Sequence, residues 1–497
     1  MKQKRTIYFN DTRHFFLYTL EPPLAMEDIW RPVDEAAGTC VDTFVYSVEG
    51  GGGLFYPSKV GRRFGGIDDG KRGSYAWRAW KSLQDLDERG LDILEVLIRR
   101  AHARGMDFFA SLRMATYYGM DPALLVANGG KGLGAAEVRD YQFEILRELA
   151  TSYDTQGVEL DLAAPGGTAW FFPQGEGEVY APVMTSYLGE IAAMVRGRPG
   201  APGVVGVRVY PTEEMCLRHG LDVRAWFAAG VVDWVMPMVY PYFVLDGDMP
   251  IEWLTAAAAA AGVSVYGRLQ PWIRDESTGA PQRIHADTET LRGAACNFLA
   301  KGADGLYAHS MSWPLGDKER SILSELGDGE RMLQGDKRYV LRRRHEEVAA
   351  LGYDALLPFE IPAPDPQKRY PVPFYIADDI EKAGERIRRI TLKLGICYTA
   401  AADRYTLLLN GVSLNAEVCL KKPRDPLYPY EGLELELHLE SACLHQGRNL
   451  LEIALDGRPE ELEDCGVSIE TIEIFVGYGT HPGGLSTRPG TESPHIF

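Results

Sequence analysis

A strand–helix alternation that repeats eight times dominates the first 330 residues of this 497-residue chain. Each short apolar strand runs into a polar or glycine-rich turn, and helical periodicity follows before the next strand begins. The predicted strands cover 6–9, 43–48, 108–112, 157–162, 204–209, 234–239, 264–269 and 305–308. This alternation predicts a (β/α)8 TIM barrel, a fold that carries its functional residues at the carboxyl ends of its strands.

Helical segments connect the predicted strands, and glycine follows several of them. Apolar residues recur at three- and four-residue spacing over 26–37, 86–104, 136–153, 180–196 and 288–301. Gly105, Gly157 and Gly302 come just after such segments, where a left-handed cap residue is favoured. Pro237 interrupts the predicted sixth strand, and its missing N–H predicts a bulge or a later start there.

The rest of the chain predicts a second domain, because one barrel takes only about 250 residues. We assign 1–330 to the barrel and 331–356 to a connecting helix, over 331–351, and a linker. The period then changes to two, with strands expected over 387–394, 405–409, 433–439, 449–453 and 469–474 and a hairpin turn at Asn410-Gly411. This pattern predicts an antiparallel β-sandwich of jelly-roll type over 357–478 and a flexible tail over 479–497.

Composition excludes several classes of function. A formal net charge of −18 argues against binding to nucleic acid or to anionic membranes. Seven scattered cysteines without a CxxC pattern, and histidines without metal spacing, predict neither a disulfide framework nor a metal site. We expect no cofactor, because the glycine-rich run 129–132 resembles a phosphate-binding loop in composition alone. The absence of a long apolar segment favours a cytoplasmic protein.

The predicted fourth strand carries the strongest site signal, Glu159 and Asp161. Side chains two residues apart on a strand share a face, so both carboxylates are expected to point to the barrel axis. Burial and mutual repulsion raise at least one pKa in such a pair, which suits acid–base or nucleophilic chemistry. Alternatively, Arg113 and Arg208 on the flanking strands pair with them in a polar layer, and both interpretations can hold together.

Further polar and aromatic residues lie at or just beyond the predicted strand ends. Glu49 precedes four glycines, in a loop that could close over a ligand or form a simple surface turn. Aromatic faces and tyrosine hydroxyls at such positions are typical of carbohydrate sites. The candidates for substrate binding are Asp11, Tyr46, Arg113, Arg208, Tyr240, Gln270, His309 and Trp313.

Five segments carry a family resemblance: Phe44-Val45-Tyr46-Ser47, Ser111-Leu112-Arg113-Met114, Gly157-Val158-Glu159-Leu160-Asp161, Val207-Arg208-Val209 and 302–307. With them the chain resembles glycoside hydrolases, in particular bacterial family 10 glycosylhydrolase-like proteins. In several barrel glycosidases the nucleophile is an aspartate at the end of strand four, so the resemblance implies that role for Asp161. The chain departs from the pattern at Gln270, where a large clan has a glutamate, and at Ala115-Thr116, where relatives have Asn-Asp.

We therefore expect a carbohydrate-active hydrolase with Asp161 as nucleophile or base and Glu159 or Glu49 as proton donor. Glu159 is the less suitable donor, because a sugar has to fit between donor and nucleophile. Two alternatives stay open: a non-catalytic carbohydrate-binding protein on a degenerate barrel, and a lyase or isomerase acting on a sugar acid. The sandwich could bind glycan, brace the barrel or mediate a homo-oligomer.

Overall fold

A computed structural model describes residues 4–11, 16–50, 52–65, 73–114, 119–163, 170–239, 244–275, 282–309, 311, 313–424 and 430–479. Eight parallel strands form a closed barrel: β1 (Thr6–Asn10), β2 (Thr43–Ser47), β3 (Asp107–Arg113), β4 (Gly157–Asp161), β5 (Val204–Val209), β6 (Trp234–Pro237), β7 (Ser264–Leu269) and β8 (Gly305–His309). Each strand pairs with its neighbours in the chain, and β8 closes the barrel on β1. The predicted fold of the first part of the chain is confirmed.

Helices surround the barrel strands and continue into the second domain. They are α1 (Phe16–Thr19), α2 (Met26–Asp34), α3 (Gly73–Glu88), α4 (Ile93–Ala103), α5 (Ala136–Thr151), α6 (Gly177–Arg196), α7 (Glu213–Arg218), α8 (Val223–Ala229), α9 (Glu252–Ala261), α10 (Thr288–Ala300), α11 (Asp317–Glu325), α12 (Gly329–Leu333), α13 (Glu346–Ala350) and α14 (Ile380–Ala383). Across the described ranges, none of these helices has the length and apolarity needed to span a bilayer.

Three local predictions for the barrel need correction. The single helix expected over 86–104 is two helices, because Asp92 accepts a hydrogen bond from the backbone N–H of Leu94 and starts α4 there. Gly157 does not cap a helix; it lies inside β4. Pro237 is the last residue of β6, so the strand ends at the proline without a bulge before it.

The lower half of the barrel interior is filled by the indole of Trp234 on β6, which is 2% exposed. The rings of Phe109 and Tyr266 approach it from β3 and β7, with centroids 5.8 and 5.6 Å away. Gly206 on β5 makes room for this ring, since a Cβ there would lie 2.0 Å from the indole. The barrel therefore has a packed floor beneath its carboxyl-terminal end.

Two antiparallel sheets form the second domain: β9 (Lys337–Val340), β10 (Phe359–Ile361), β11 (Tyr370–Ile376), β12 (Arg389–Cys397), β13 (Arg404–Leu409), β14 (Val412–Leu414), β15 (Leu420–Pro423), β16 (Gly432–His438), β17 (Gly447–Gly457) and β18 (Val467–Gly477). One sheet has the order β9–β18–β12–β16–β15, with β10 also paired to β18, and the other has β11–β17–β13–β14. A separate apolar core lies between them. The predicted sandwich is confirmed, and Asn410-Gly411 forms the turn between β13 and β14.

The connecting helix predicted over 331–351 is wrong. In its place the chain forms the end of α12, the strand β9 and the short helix α13. β9 joins the sandwich sheet by pairing with β18, and its Lys337 forms a buried ion pair with Asp378 at 3.0 Å. The tail predicted over 479–497 lies outside the described residues from 480 onward.

Charged side chains join the sandwich to the barrel. Arg338 on β9 lies 3.1 Å from Asp287, the cap of α10, and Arg448 on β17 lies 2.7 Å from Glu252 on α9. Partly exposed ion pairs of this kind contribute orientation more than stability. They set the sandwich against the helical layer of the barrel.

Candidate functional site

Arg208 on β5 organises a buried polar network inside the carboxyl-terminal half of the barrel. Its guanidinium nitrogens lie 2.6 Å from Glu159 Oε1 and 2.9 Å from Asp161 Oδ2, and all three side chains are at most 1% exposed. The two carboxylates are two residues apart on β4, so both reach the barrel axis as the spacing predicts. One arginine thus forms ion pairs with two buried acids.

Glu159 is enclosed by hydrogen-bond donors. Its Oε1 accepts from the Ser111 hydroxyl at 2.6 Å as well as from Arg208, and its Oε2 accepts from the Tyr307 hydroxyl at 2.8 Å. Side chains from β3, β5 and β8 therefore donate hydrogen bonds to both oxygens of this carboxylate. Such an arrangement fixes Arg208 and Tyr307 in place and leaves Glu159 little access to a substrate.

Asp161 has different surroundings. Its Oδ2 binds Arg208, whereas among the described residues its Oδ1 accepts only from the backbone N–H of Ala163, at 3.2 Å. Asp161 is the last residue of β4, the position where TIM barrels carry reacting groups. One of its oxygens is thus oriented by an ion pair, while the other has no side-chain partner in the part of the chain that the structure describes.

The charge of Arg208 is maintained against its burial. Desolvation lowers the pKa of a buried guanidinium, but here the carboxylates of Glu159 and Asp161 outweigh it and raise the pKa of Arg208 above its usual value. The guanidinium carbon also lies 4.0 Å from the centre of the Phe9 ring. Burial likewise raises the pKa of Tyr307 far above neutrality, so its hydroxyl is a donor to Glu159.

His309 and Gln270 extend the network to β8 and β7. The imidazole stacks on Phe9 with centroids 4.7 Å apart, and its Nε2 lies 3.3 Å from Arg208 Nη1. With the Gln270 amide assigned by its neighbours, its oxygen accepts from His309 Nδ1 and from Arg268 Nε, both at 2.8 Å. This assigns the proton of a neutral His309 to Nδ1 and leaves Nε2 to accept from Arg208.

Arg268 on β7 is a second buried arginine, 3% exposed. It donates to the Val239 carbonyl at 3.2 Å and to the Gln270 amide, and no carboxylate of the described chain lies within ion-pair distance of it. Burial and the repulsion of Arg208 lower the pKa of Arg268 to about 9. Its hydrogen-bond partners among the described residues are thus neutral oxygens.

A second charged group lies at the ends of β1, β2 and β3. Arg113 Nη2 donates to Asp11 Oδ2 at 2.8 Å, and Arg113 Nε lies 3.9 Å from Glu49 Oε1, with Asp11 and Glu49 both 1% exposed. Glu49 pairs with Leu54 in a short hairpin after β2. Because Arg113 and Asp161 are register partners, this group stands beside Asp161 on the neighbouring strand.

Two of the predicted substrate-binding residues, Tyr46 and Trp313, do not join these two groups, and a third is not described. Tyr46 lies on the outer face of β2, where its ring contacts Phe108 at 6.3 Å between centroids. Trp313 packs outside the barrel, with the Arg31 guanidinium of α2 5.2 Å from its ring. Tyr240 lies outside the described residues.

The network also contains residues that the sequence analysis did not select: Ser111, Arg268 and Tyr307. A signal for them was available. Each precedes a selected strand-end residue by two positions, and residues two apart on a strand share a face. Within the described ranges, including this network, there is no group of three His, Cys, Asp or Glu side chains that could hold a metal ion.

No family model and no curated protein matches the chain. Similar solved structures include α-L-fucosidase isoenzyme 2 from Paenibacillus thiaminolyticus, with 12% identity and a TM-score of 0.42 over 67% of this chain, which spans only 50% of that enzyme. A class V chitinase from Pseudomonas fluorescens Pf-5 has 11% identity and a TM-score of 0.39 over 65% of this chain and 99% of its own.

A chitinase from Rhizomucor miehei has 15% identity and a TM-score of 0.37, over 66% of this chain and 99% of its own. These neighbours are glycoside hydrolases, the class that the sequence resembles. Activity does not follow from similarity at this level, and function has to be argued from the site itself.

Proposed function

We propose that this chain is a glycoside hydrolase in which Asp161 acts as nucleophile or general base. The observation that carries the proposal is the contrast between the two acids of β4. Glu159 has donors on both oxygens, whereas Asp161 has an ion pair on Oδ2 and, from the described residues, a backbone donor alone on Oδ1. A carboxylate that an ion pair holds in a fixed orientation, and whose second oxygen is not bound by a described side chain, suits attack on a sugar or on a water molecule.

Glu49 is the proposed proton donor. It is a buried acid beside Arg113 in the short hairpin after β2, whereas Asp161 ends β4, which β3 separates from β2. Two carboxyl groups on separate strands can flank a glycosidic bond, whereas Glu159 and Asp161 contact the same guanidinium. Asp11, Arg113, Gln270 and His309 are proposed to bind substrate hydroxyls.

The first experiment is hydrolysis of a panel of aryl glycosides and oligosaccharides by the wild type and by Asp161→Asn. Asp154→Asn is a matched control, because Asp154 is 89% exposed and lies at the opposite end of the barrel, before β4. Turnover by the wild type and the control that is lost in Asp161→Asn supports the proposal. Full activity of Asp161→Asn contradicts it.

A non-catalytic carbohydrate-binding protein is the second candidate. The residues across the barrel from β4 favour this candidate. Gln270 follows β7 and His309 ends β8, and these two side chains bind each other, so neither position supplies a second carboxylate. In that case no glycoside is hydrolysed, and one glycan raises the melting temperature of both the wild type and Asp161→Asn.

A further inference from the structure

An open cavity of about 470 Å³ lies on the carboxyl-terminal rim, between the segment that follows β3 and the segment that follows β4. The two segments are joined by a hydrogen bond of 2.9 Å from the Leu133 N–H to the Phe171 carbonyl. A cavity of this size falls within the range of small-molecule sites, roughly 300 to 1,000 Å³. It borders the strand that carries Asp161, but none of the residues proposed above for catalysis lines it.

Two aromatic rings line this cavity, and each is supported from behind. Trp170 stacks on His219 with centroids 4.4 Å apart and planes at 17°, and Tyr180 stacks on Phe172 at 4.9 Å and 6°. His219 and Phe172 are themselves buried, at 1% and 2% exposure. Trp170 and Tyr180 are therefore held in fixed planes at the edge of the cavity, without the entropy cost of ordering them on binding.

The polar lining is balanced in charge. Lys131 and Glu176 contribute opposite charges, and Gln174 contributes an amide. The neighbouring Gly129 has φ +83°, and a Cβ on Gly130 would lie 2.3 Å from the backbone of Leu124, so these glycines serve a tight turn. One lysine offset by one glutamate is a poor phosphate site, and the mixture of donors and acceptors suits sugar hydroxyls.

We propose that this cavity binds a sugar unit of a neutral oligosaccharide, with the ring of Trp170 stacked against the C–H face of the sugar. Flat aromatic faces bury the apolar side of a pyranose while its hydroxyls reach Lys131, Gln174 and Glu176. The inference deepens the proposed function, and it rests on that function only for the claim that the bound oligosaccharide is the substrate.

The test is isothermal titration calorimetry of Asp161→Asn, in which turnover is expected to be lost, with cello-, xylo-, manno-, malto- and chitohexaose. One of these is expected to bind, and adding Trp170→Ala weakens its binding roughly tenfold, as expected for one lost aromatic contact. Trp77→Ala is the matched control, because Trp77 is 40% exposed on α3, away from the cavity. Trp170→Phe keeps a stacking ring and retains most of the affinity, which separates loss of the contact from loss of folding.

Unchanged affinity in Trp170→Ala overturns the inference, as does the failure of all five hexaoses to bind or the binding of inorganic phosphate in their place. The proposed function fails separately, when the wild type hydrolyses nothing although a hexaose binds and Trp170→Ala weakens it. Conversely, hydrolysis by the wild type with the same KM for the hexaose in Trp170→Ala leaves the function standing and removes the subsite.

Discussion

Asp161 and Arg208 are register partners on neighbouring strands, and their side chains meet at 2.9 Å between Oδ2 and Nη1. The same guanidinium also holds Glu159, whose remaining positions are taken by Ser111 and Tyr307. Two acids on one strand thus share a cation but differ in what else they touch. Replacing Glu159 is expected to lower mainly the stability of the protein, and replacing Asp161 is expected to lower mainly its turnover.

Glu159→Gln is expected to lower the free energy of unfolding by about 3–5 kcal/mol, because it removes a buried charge from beneath Arg208. Urea denaturation measures the loss, and Glu214→Gln is the control, since Glu214 is 80% exposed. A change below about 1 kcal/mol would show that the charge of Glu159 does not hold Arg208 in place.

Asp161→Asn is expected to lose less stability than Glu159→Gln, because only one of its oxygens has a side-chain partner. Turnover of the best aryl glycoside should fall at least about a thousandfold, as it does when a reacting group is removed from an active site. The comparison of kcat with the unfolding midpoint of both variants decides the assignment. Greater loss of turnover in Glu159→Gln at equal stability would exchange the two roles.

Glu49→Gln is expected to slow the release of poor leaving groups by about a hundredfold or more, the usual contribution of a general acid. A strongly acidic phenol leaves as its phenolate without proton donation, so the hydrolysis of its glycosides should change little. The measurement is the dependence of kcat/KM on leaving-group pKa for the wild type and the variant. Equal losses for good and poor leaving groups would exclude Glu49 as the donor.

Arg268→Met is expected to match or exceed the wild type in stability at pH 7, because the wild type buries a cation there with no described carboxylate within ion-pair distance. The pKa of Arg268 is about 9 in the folded protein and is higher in the unfolded chain. As pH rises through 9, the unfolded state therefore holds more protons, and the wild type gains stability relative to the variant. Melting temperatures between pH 7 and 10 measure this, and a constant difference would contradict it.

Lys337→Met is expected to cost about 3–5 kcal/mol, since it leaves Asp378 buried without its partner. Lys337 Nζ also donates to the carbonyls of Leu333 and Gly335, both at 2.9 Å, so the loss includes the end of α12. Guanidinium denaturation compares it with the exposed Lys318→Met. Equal midpoints for the two variants would mean that this ion pair contributes nothing to the sandwich.

The eight barrel strands were predictable because buried parallel strands are short apolar runs, and β5 and β7 match their predicted bounds at both ends. β9 was not predictable, because a lysine such as Lys337 is normally exposed and does not indicate a buried strand position. Its partner Asp378 is 41 residues away, and local periodicity carries no information about it. The local hydrophobic pattern therefore predicts strands and helices that bury apolar side chains. It fails where a buried side chain is charged and pairs with a residue far away in the sequence.

The same limit applies to the site. The spacing of Glu159 and Asp161 is enough to predict that they share a face. The hydrogen bonds that Ser111 and Tyr307 donate to Glu159 depend instead on how β3 and β8 are staggered around the barrel. Trp313 was expected in the pocket from its position after β8, and the chain instead carries it outward to Arg31 on α2. Strand-end residues were predictable, whereas the course of each loop was not.

The indole of Trp234, seated where Gly206 leaves space for it, closes the barrel from below. A molecule that reaches Asp161 can therefore enter only from the rim, and whatever is formed there has to leave by the same opening. A long polymer cannot thread through such a barrel from one end to the other, so it has to lie across the mouth, where β4 ends at Asp161.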